Sequence, residues 1–171
     1  MTPERQQLLA ELLKEVVEKD KKWIPDAAYP WVQKLVCWAA VEVMITGPGQ
    51  SILLRKREND PYGLNGWHII GGYIRPGETL HAASSRHARE DTGVCGVKYL
   101  RLIGGQQWTD HPLGFPYSNL VVCEADGVIQ ERDDLKFFSQ IPSPLIHPNH
   151  RRYLEIFFQM AWNHPPAVLI E

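Results

Sequence analysis

An α/β (α+β) domain is what this sequence predicts, on three observations. Trp67 to Ile70 is a short apolar run ending on Gly71-Gly72. An Arg75-Pro76-Gly77 turn follows, and a helical pattern opens at Thr79 and stops at Gly93, giving strand, glycine loop and helix. Further short apolar runs of strand length stand on both sides of this unit, and amphipathic stretches with helical spacing stand at both ends of the chain. With 171 residues, 44% of them hydrophobic, there is enough apolar material for one full core.

Taken in order, Thr2-Pro3-Glu4 opens a helix with a capping residue, a proline at the first position and an acid in the first turn. Leu9, Leu12, Leu13, Val16 and Val17 continue it as an apolar stripe to about Lys19, suited to covering the core or to a dimer contact. Pro25 and Pro30 bracket an irregular connection rich in aromatics, Trp23, Tyr29 and Trp31. Residues 1–34 are therefore read as an N-terminal helix and connection, and residues 35–171 as the main domain. Leu35 to Ile45 is a buried strand, turned back by Gly47-Pro48-Gly49. Ile52 to Leu54 is the next strand, ending on Arg55-Lys56-Arg57, and a polar loop runs from Glu58 to Gly66 with Pro61 and Gly63 in it.

After the helix, Val97 to Ile103 and Leu120 to Glu124 are strands, separated by a long loop from Gly104 to Ser118. That loop carries Gln106, Gln107, Trp108, Asp110, His111, Phe115 and Tyr117, the aromatics and amides that select a substrate when a loop faces a reactive site. Trp108 and Tyr117 are the candidate binding residues. An acidic stretch, Glu131 to Asp134, leads into Leu135 to Phe138. Pro148 to Trp162 is a last helix with Tyr153, Ile156, Phe157 and Met160 on one face. His147 and His150 flank its start, where histidines serve as caps more often than as bases.

The candidate chemistry sits on the central helix. His87, Glu90 and Asp91 lie at i, i+3 and i+4 and share a face, and Glu78 adds a carboxylate at the loop's end. Clustered carboxylates are what a hard divalent cation needs, with substrate phosphates completing its shell. A solvated face paired by Arg86–Glu90 and His87–Asp91 is the competing explanation. The basic triplet at 55–57, Arg55-Lys56-Arg57, offers a phosphate contact.

The stretch from Gly72 to Val94 resembles the Nudix box, in which a Gly and a Glu six residues on precede an Arg-Glu-apolar-any-Glu-Glu-any-Gly-apolar run. Gly72, Glu78, Arg86, Glu90 and Gly93 occupy matching positions. Two fixed letters differ, His87 for a Glu and Asp91 for a Glu, and Ile70 stands where a Pro is usual. The resemblance implies a mixed β-sheet sandwiched between helices, with the N-terminal helix as an addition. It implies that Glu90, Asp91 and the Gly71 carbonyl hold a cation, Mg²⁺ or, given the His87 imidazole, Mn²⁺. Gly72, Glu78, Arg86 and Gly93 would shape the box, with Glu78 and Arg86 bracing loop on helix. Within the family, residues 35–154 look most like the GDP-mannose mannosyl hydrolase branch, which cleaves a sugar C–O bond. In that alignment Glu131 falls on a metal-ligand position and Arg132 on the base position, where a guanidinium cannot serve. His87 is then the replacement base and Arg57 shares the diphosphate charge.

The expected activity is metal-dependent hydrolysis of a nucleoside diphosphate linked to another group, such as the nucleotide sugar GDP-mannose. The alternatives are pyrophosphohydrolysis of ADP-ribose type, and an impaired module that binds a nucleotide or a protein. A net charge of −2 argues against binding nucleic acid through a general basic surface. Cys37, Cys95 and Cys123 are spaced as reduced core thiols. No apolar run reaches membrane-spanning length and no signal peptide opens the chain, so a cytoplasmic location is expected. The family resemblance implies a homodimer.

Overall fold

The computed structural model describes residues 1–16, 18, 25, 27–58, 65–94, 96–111, 114–145 and 147–159. Expectations at Val17, Lys19, Trp23, Pro61, Gly63, Cys95 and Met160 fall outside these. The elements run α1 (Pro3–Glu15), α2 (Tyr29–Gln33), β1 (Ala39–Thr46), β2 (Ile52–Arg57), β3 (Gly66–Tyr73), α3 (Leu80–Thr92), β4 (Val97–Gln107), β5 (Tyr117–Ala125), β6 (Leu135–Phe138) and α4 (Pro148–Gln159). One mixed sheet of six strands has the order β4-β5-β1-β3-β2-β6. Among the described strands β1 and β5 pair in parallel, and the other neighbours pair antiparallel.

The sheet lies between α3 and α4. Val41, Val43 and Ile45 of β1 pack with Ala83 and Ala88 of α3, whereas Met44 joins Tyr153, Leu154 and Phe157 of α4. Both faces of β1 are thus buried, which is why its sequence reads as continuous apolar residues rather than an alternation. Glu42 shares parity with Met44 and so belongs to the α4 face.

The boundaries differ from the sequence reading in three instructive places. β1 begins at Ala39, not Leu35, because parallel pairing with β5 starts at Ala39↔Tyr117 and Leu35 is left exposed in the turn after α2. β3 runs through both glycines to Tyr73 instead of stopping at Ile70. There the glycines serve close approach: a Cβ on Gly71 would lie 2.2 Å from the Val41 carbonyl oxygen, and one on Gly72 would lie 2.7 Å from the His87 ring. β4 and β5 are longer than expected and shorten the loop between them to residues 108–116.

Gly71→Ala is therefore expected to destabilise the fold by at least about 1–3 kcal/mol, since the atom in the way is backbone of the neighbouring strand. Gly104→Ala, where a Cβ would meet nothing within 4 Å, should stay within about 0.5 kcal/mol of the parent. Urea denaturation of the two variants checks both values.

α3 is capped as its sequence indicates. Thr79 accepts from the Ala82 N–H at its N-terminus, and Gly93 takes the left-handed conformation (φ 78°) at its C-terminus. α1 begins at the expected Thr2 cap, yet none of its residues is buried, and Leu8, Leu9, Leu12 and Leu13 are all exposed. In this structure α1 does not cover the core. No described helix is long and apolar enough to cross a membrane. Cys123 is buried in the core, whereas Cys37, expected there too, is exposed.

Candidate active site

A cavity of about 370 Å³ opens between the α3 box and the start of α4. Its box end is lined by Gly71, Gly72 and Tyr73 of β3, Arg75 of the turn, and Arg86, His87 and Glu90 of α3. Arg57, at the end of β2, faces the same cavity. Glu42, His68, Trp108, Ser118, His147 and His150 line the other end.

The box is held by one tight ion pair. Arg86 donates from Nε to Glu78 Oε1 (2.7 Å) and from Nη2 to Glu78 Oε2 (2.8 Å), and Nη2 also reaches the Tyr73 carbonyl (2.9 Å). Glu78 accepts from the Arg75 N–H as well (2.9 Å). This two-pronged geometry suits guanidinium and carboxylate. The Arg86 hydrogen bonds hold the Glu78 carboxyl down at about 2. Strand end, turn and helix are thereby locked together.

His87 sits against Gly72, with Nε2 3.2 Å from the Tyr73 carbonyl oxygen. A carbonyl only accepts, so Nε2 carries the proton and Nδ1 keeps a lone pair. Nδ1 lies 3.4 Å from Arg86 Nη1 and 3.7 Å from Glu90 Oε2. Burial, and then the Arg86 charge, push the His87 pKa down, so the ring is neutral at pH 7. Glu90 itself is half exposed at the cavity, 3.7 Å from Arg75 and 3.4 Å from Arg86.

Two residues expected beside Glu90 lie elsewhere. Asp91 is buried on the flank of α3, where Oδ1 pairs with Arg55 and its main-chain carbonyl accepts from Arg132 Nη2 (2.7 Å). Arg132 is tied in turn to Asp134 (2.6 Å). The cause is strand parity: Arg55 follows Leu53 on the α3 face of β2, and Asp91 is one position round the helix from Glu90. Glu131 accepts from the Phe137 N–H (2.6 Å) and lines a separate groove with Thr46, Gly47 and Val128. Tyr117 also lies outside the cavity, with its ring over Gly105, whereas Trp108 is inside it. Among the described residues no group of three or more His, Cys, Asp or Glu side chains is arranged to hold a metal ion.

The far end of the cavity was largely missed from sequence. Glu42 accepts from the Ser118 hydroxyl (3.3 Å), and burial raises its carboxyl to about 8, so it is protonated at neutral pH. His150 Nδ1 accepts from the Ile69 N–H (3.1 Å), and burial lowers its pKa to about 3. Trp108 donates to the Tyr153 hydroxyl (3.0 Å) and stacks on His147, centroids 5.0 Å apart at 10°. His147 is a helix cap, accepting from the Asn149 N–H (3.2 Å). A signal for His150 was present, since it precedes Tyr153, Leu154 and Phe157 by three, four and seven positions and so shares the buried stripe of α4. Glu42 was legible only as a charge inside an apolar run.

The family model for the NUDIX domain matches residues 38–140. An NAD-capped RNA hydrolase of Schizosaccharomyces pombe (strain 972 / ATCC 24843) is 30% identical over 129 residues, which cover 70% of this chain. The chain spans 31% of the length of that curated relative. Among solved structures, a UDP-X diphosphatase has a TM-score of 0.57 at 21% identity, with 91% of this chain and 81% of that one covered. A NUDIX hydrolase from Nitrosomonas europaea reaches 0.61 at 18% identity, covering 77% and 75%. An ADP-ribose pyrophosphatase from Streptococcus suis 89-1591 reaches 0.55 at 19%, covering 72% and 91%. The structural likenesses speak for the fold alone. None of these relatives supports the GDP-mannose branch that residues 35–154 suggest. On the match over residues 38–140 and the strand–glycine–helix box within it, the chain belongs to the Nudix hydrolase family.

Proposed function

We propose that this chain hydrolyses the P–O–P linkage of a nucleoside diphosphate joined to a second group, a substrate of ADP-ribose or dinucleotide type. The observation that carries this reading is the convergence of Arg57, Arg75 and Arg86 with Glu90 on one cavity. Guanidiniums suit phosphate oxygens, and a diphosphate needs more than one. Sugar C–O cleavage finds less support, because Glu131, its expected ligand, lies in the other groove. The name of the fission-yeast relative, an NAD-capped RNA hydrolase, also points to a dinucleotide diphosphate.

Nudix hydrolases generally use divalent metal ions. With no three-residue cluster among the described residues, the side chains fit a single cation, Mg²⁺ or Mn²⁺, held by Glu90 and the Gly71 carbonyl and completed by substrate phosphates. Bound there it would neutralise the diphosphate and the charge on the leaving phosphate. Arg57 and Arg75 hold and orient the phosphates. His87 takes the proton of the attacking water at Nδ1, whose contact with Arg86 is long enough to be exchanged for a water. The water oxygen bonds to phosphorus, the bridging P–O bond breaks, and the second phosphate leaves as a monophosphate. His87→Ala should lower kcat about a hundredfold, measured by steady-state release of monophosphate. Unchanged turnover would remove His87 from the mechanism.

A binding module with impaired catalysis is the second reading, favoured by the commitment of Asp91 to Arg55 and the imidazole at position 87. The deciding experiment is chromatography of products from ADP-ribose and GDP-mannose with Mg²⁺ or Mn²⁺. Nucleoside monophosphate supports the main reading, and GDP with free mannose contradicts it. Tight binding with no turnover supports the module. A homodimer is also proposed: the exposed leucines of α1 form an apolar strip that association would bury, and sedimentation equilibrium tests it.

A further inference from the structure

We propose that the α4 end of the cavity is a subsite for a heteroaromatic ring of the substrate, and that it reads an amide edge on that ring through His68 and His150. This rests on the reading that the diphosphate lies at the Arg57–Glu90 end.

The argument turns on Ile69, whose two peptide groups fix the two histidines in opposite senses. Its carbonyl oxygen lies 2.6 Å from His68 Nδ1, so that nitrogen carries the proton and Nε2 keeps a bare lone pair. Its N–H donates to His150 Nδ1 (3.1 Å), so His150 carries its proton on Nε2. His68 is 3% exposed, and its Nε2 has no hydrogen-bond partner among the described residues. The His150 Nε2–H faces Glu42 Oε2 across 3.9 Å, too far for a hydrogen bond. An acceptor and a donor therefore stand on neighbouring rings whose centroids are 6.2 Å apart, neither with a hydrogen-bond partner among the described residues, and both histidines line the cavity.

Buried polar groups are nearly always paired, and an unpaired one is a cost that the fold carries for some reason. An amide supplies the complement, with its N–H for His68 and its adjacent C=O for His150. Both histidines stay neutral because burial disfavours their charged forms. Trp108 stands edge-on to His150, centroids 5.4 Å apart at 64°, and is fixed by its bond to Tyr153, providing an aromatic wall for a flat ring. The cavity volume of about 370 Å³ is within the range of small-ligand sites.

Calorimetric titration of the intact protein tests this with three probes that share a ribose phosphate. Nicotinamide mononucleotide carries the amide, nicotinic acid mononucleotide replaces it with a carboxylate that cannot donate, and ribose 5-phosphate has no ring. Nicotinamide mononucleotide should bind at least about tenfold more tightly than either of the others. His68→Phe keeps a flat ring of similar size and should abolish that preference without weakening ribose 5-phosphate; it also removes the Nδ1 bond to the Ile69 carbonyl, so Tm is measured beside the affinities. Equal affinities for all three probes, or an unchanged preference in His68→Phe, would overturn the proposal. The ligand comparison stands on the parent protein even if the variant folds poorly. Turnover of ADP-ribose without any amide preference would defeat the subsite alone. An amide preference that depends on His68, without turnover of any diphosphate, would defeat the hydrolase reading alone.

Discussion

Glu90→Gln should reduce kcat on a diphosphate substrate about a thousandfold while leaving KM unchanged or lower. Glu90 is the acid of the box helix that opens onto the cavity, so its charge is what a substrate-borne cation would meet there. Gln keeps the shape and removes the charge. The side chain is half exposed, so the fold should not change by more than about 0.5 kcal/mol. Phosphate binding need not suffer, because Arg75 and Arg86 lose a competing anion. Asp91→Asn provides the contrast. Its carboxylate pairs with Arg55 and its flank is tied through Arg132, so stability should fall by about 1–3 kcal/mol while kcat per folded molecule falls far less. Steady-state kinetics beside urea denaturation separates the two patterns. A thousandfold loss in Asp91→Asn with an unchanged midpoint would return Asp91 to the cation.

His150 gives the second large effect, on stability in acid. Its folded-state pKa is depressed to about 3 from an ordinary 6.5, because burial disfavours the charged ring and His147, Arg57 and His111 add positive neighbours. A depressed folded pKa contributes stability that is complete above pH 6.5 and is lost as the pH falls through that value towards 3. At about 1.4 kcal/mol per unit, the loss is a few kcal/mol in order of magnitude. Glu42 acts in the opposite direction. Its carboxyl is raised to about 8 from 4.5, so its contribution is complete below pH 4.5 and is lost as the pH rises through 8. The two oppose one another between pH 6.5 and 4.5, and the acid loss should steepen below 4.5. His150→Gln retains an acceptor for the Ile69 N–H without a titrating ring. Its urea-derived stability should fall less between pH 6.5 and 3 than that of the parent, and parallel curves would contradict the assignment.

The box was legible because its signals are local. The Thr79 cap, the Gly93 stop and the face shared by residues 87 and 90 follow from spacing along one turn and one helix, and the Glu78–Arg86 pairing from the resemblance of the box. What was not legible depends on strands far apart in the chain. Asp91 turns to Arg55 through the pairing of β2 with its neighbours, and no spacing within the box announces that. Glu131 looked like a ligand by alignment, yet the turn before β6 spends it on the Phe137 N–H. The α4 end gathers β1, β3, β4, β5 and α4, so Glu42, His68 and Ser118 meet only once the sheet order is known. The extended glycines of β3 were misread for the same reason. Their need is space for Val41 and His87, and neither contact is local.

The central claim is that water attacks phosphorus in the cavity bounded by Arg57, Arg75 and Glu90. Hydrolysis of ADP-ribose and of GDP-mannose in ¹⁸O-labelled water, with the products weighed by mass spectrometry, tests it most directly. The account predicts label in the phosphate of a nucleoside or ribose monophosphate. Label in the sugar hydroxyl beside an intact, unlabelled nucleoside diphosphate would contradict it.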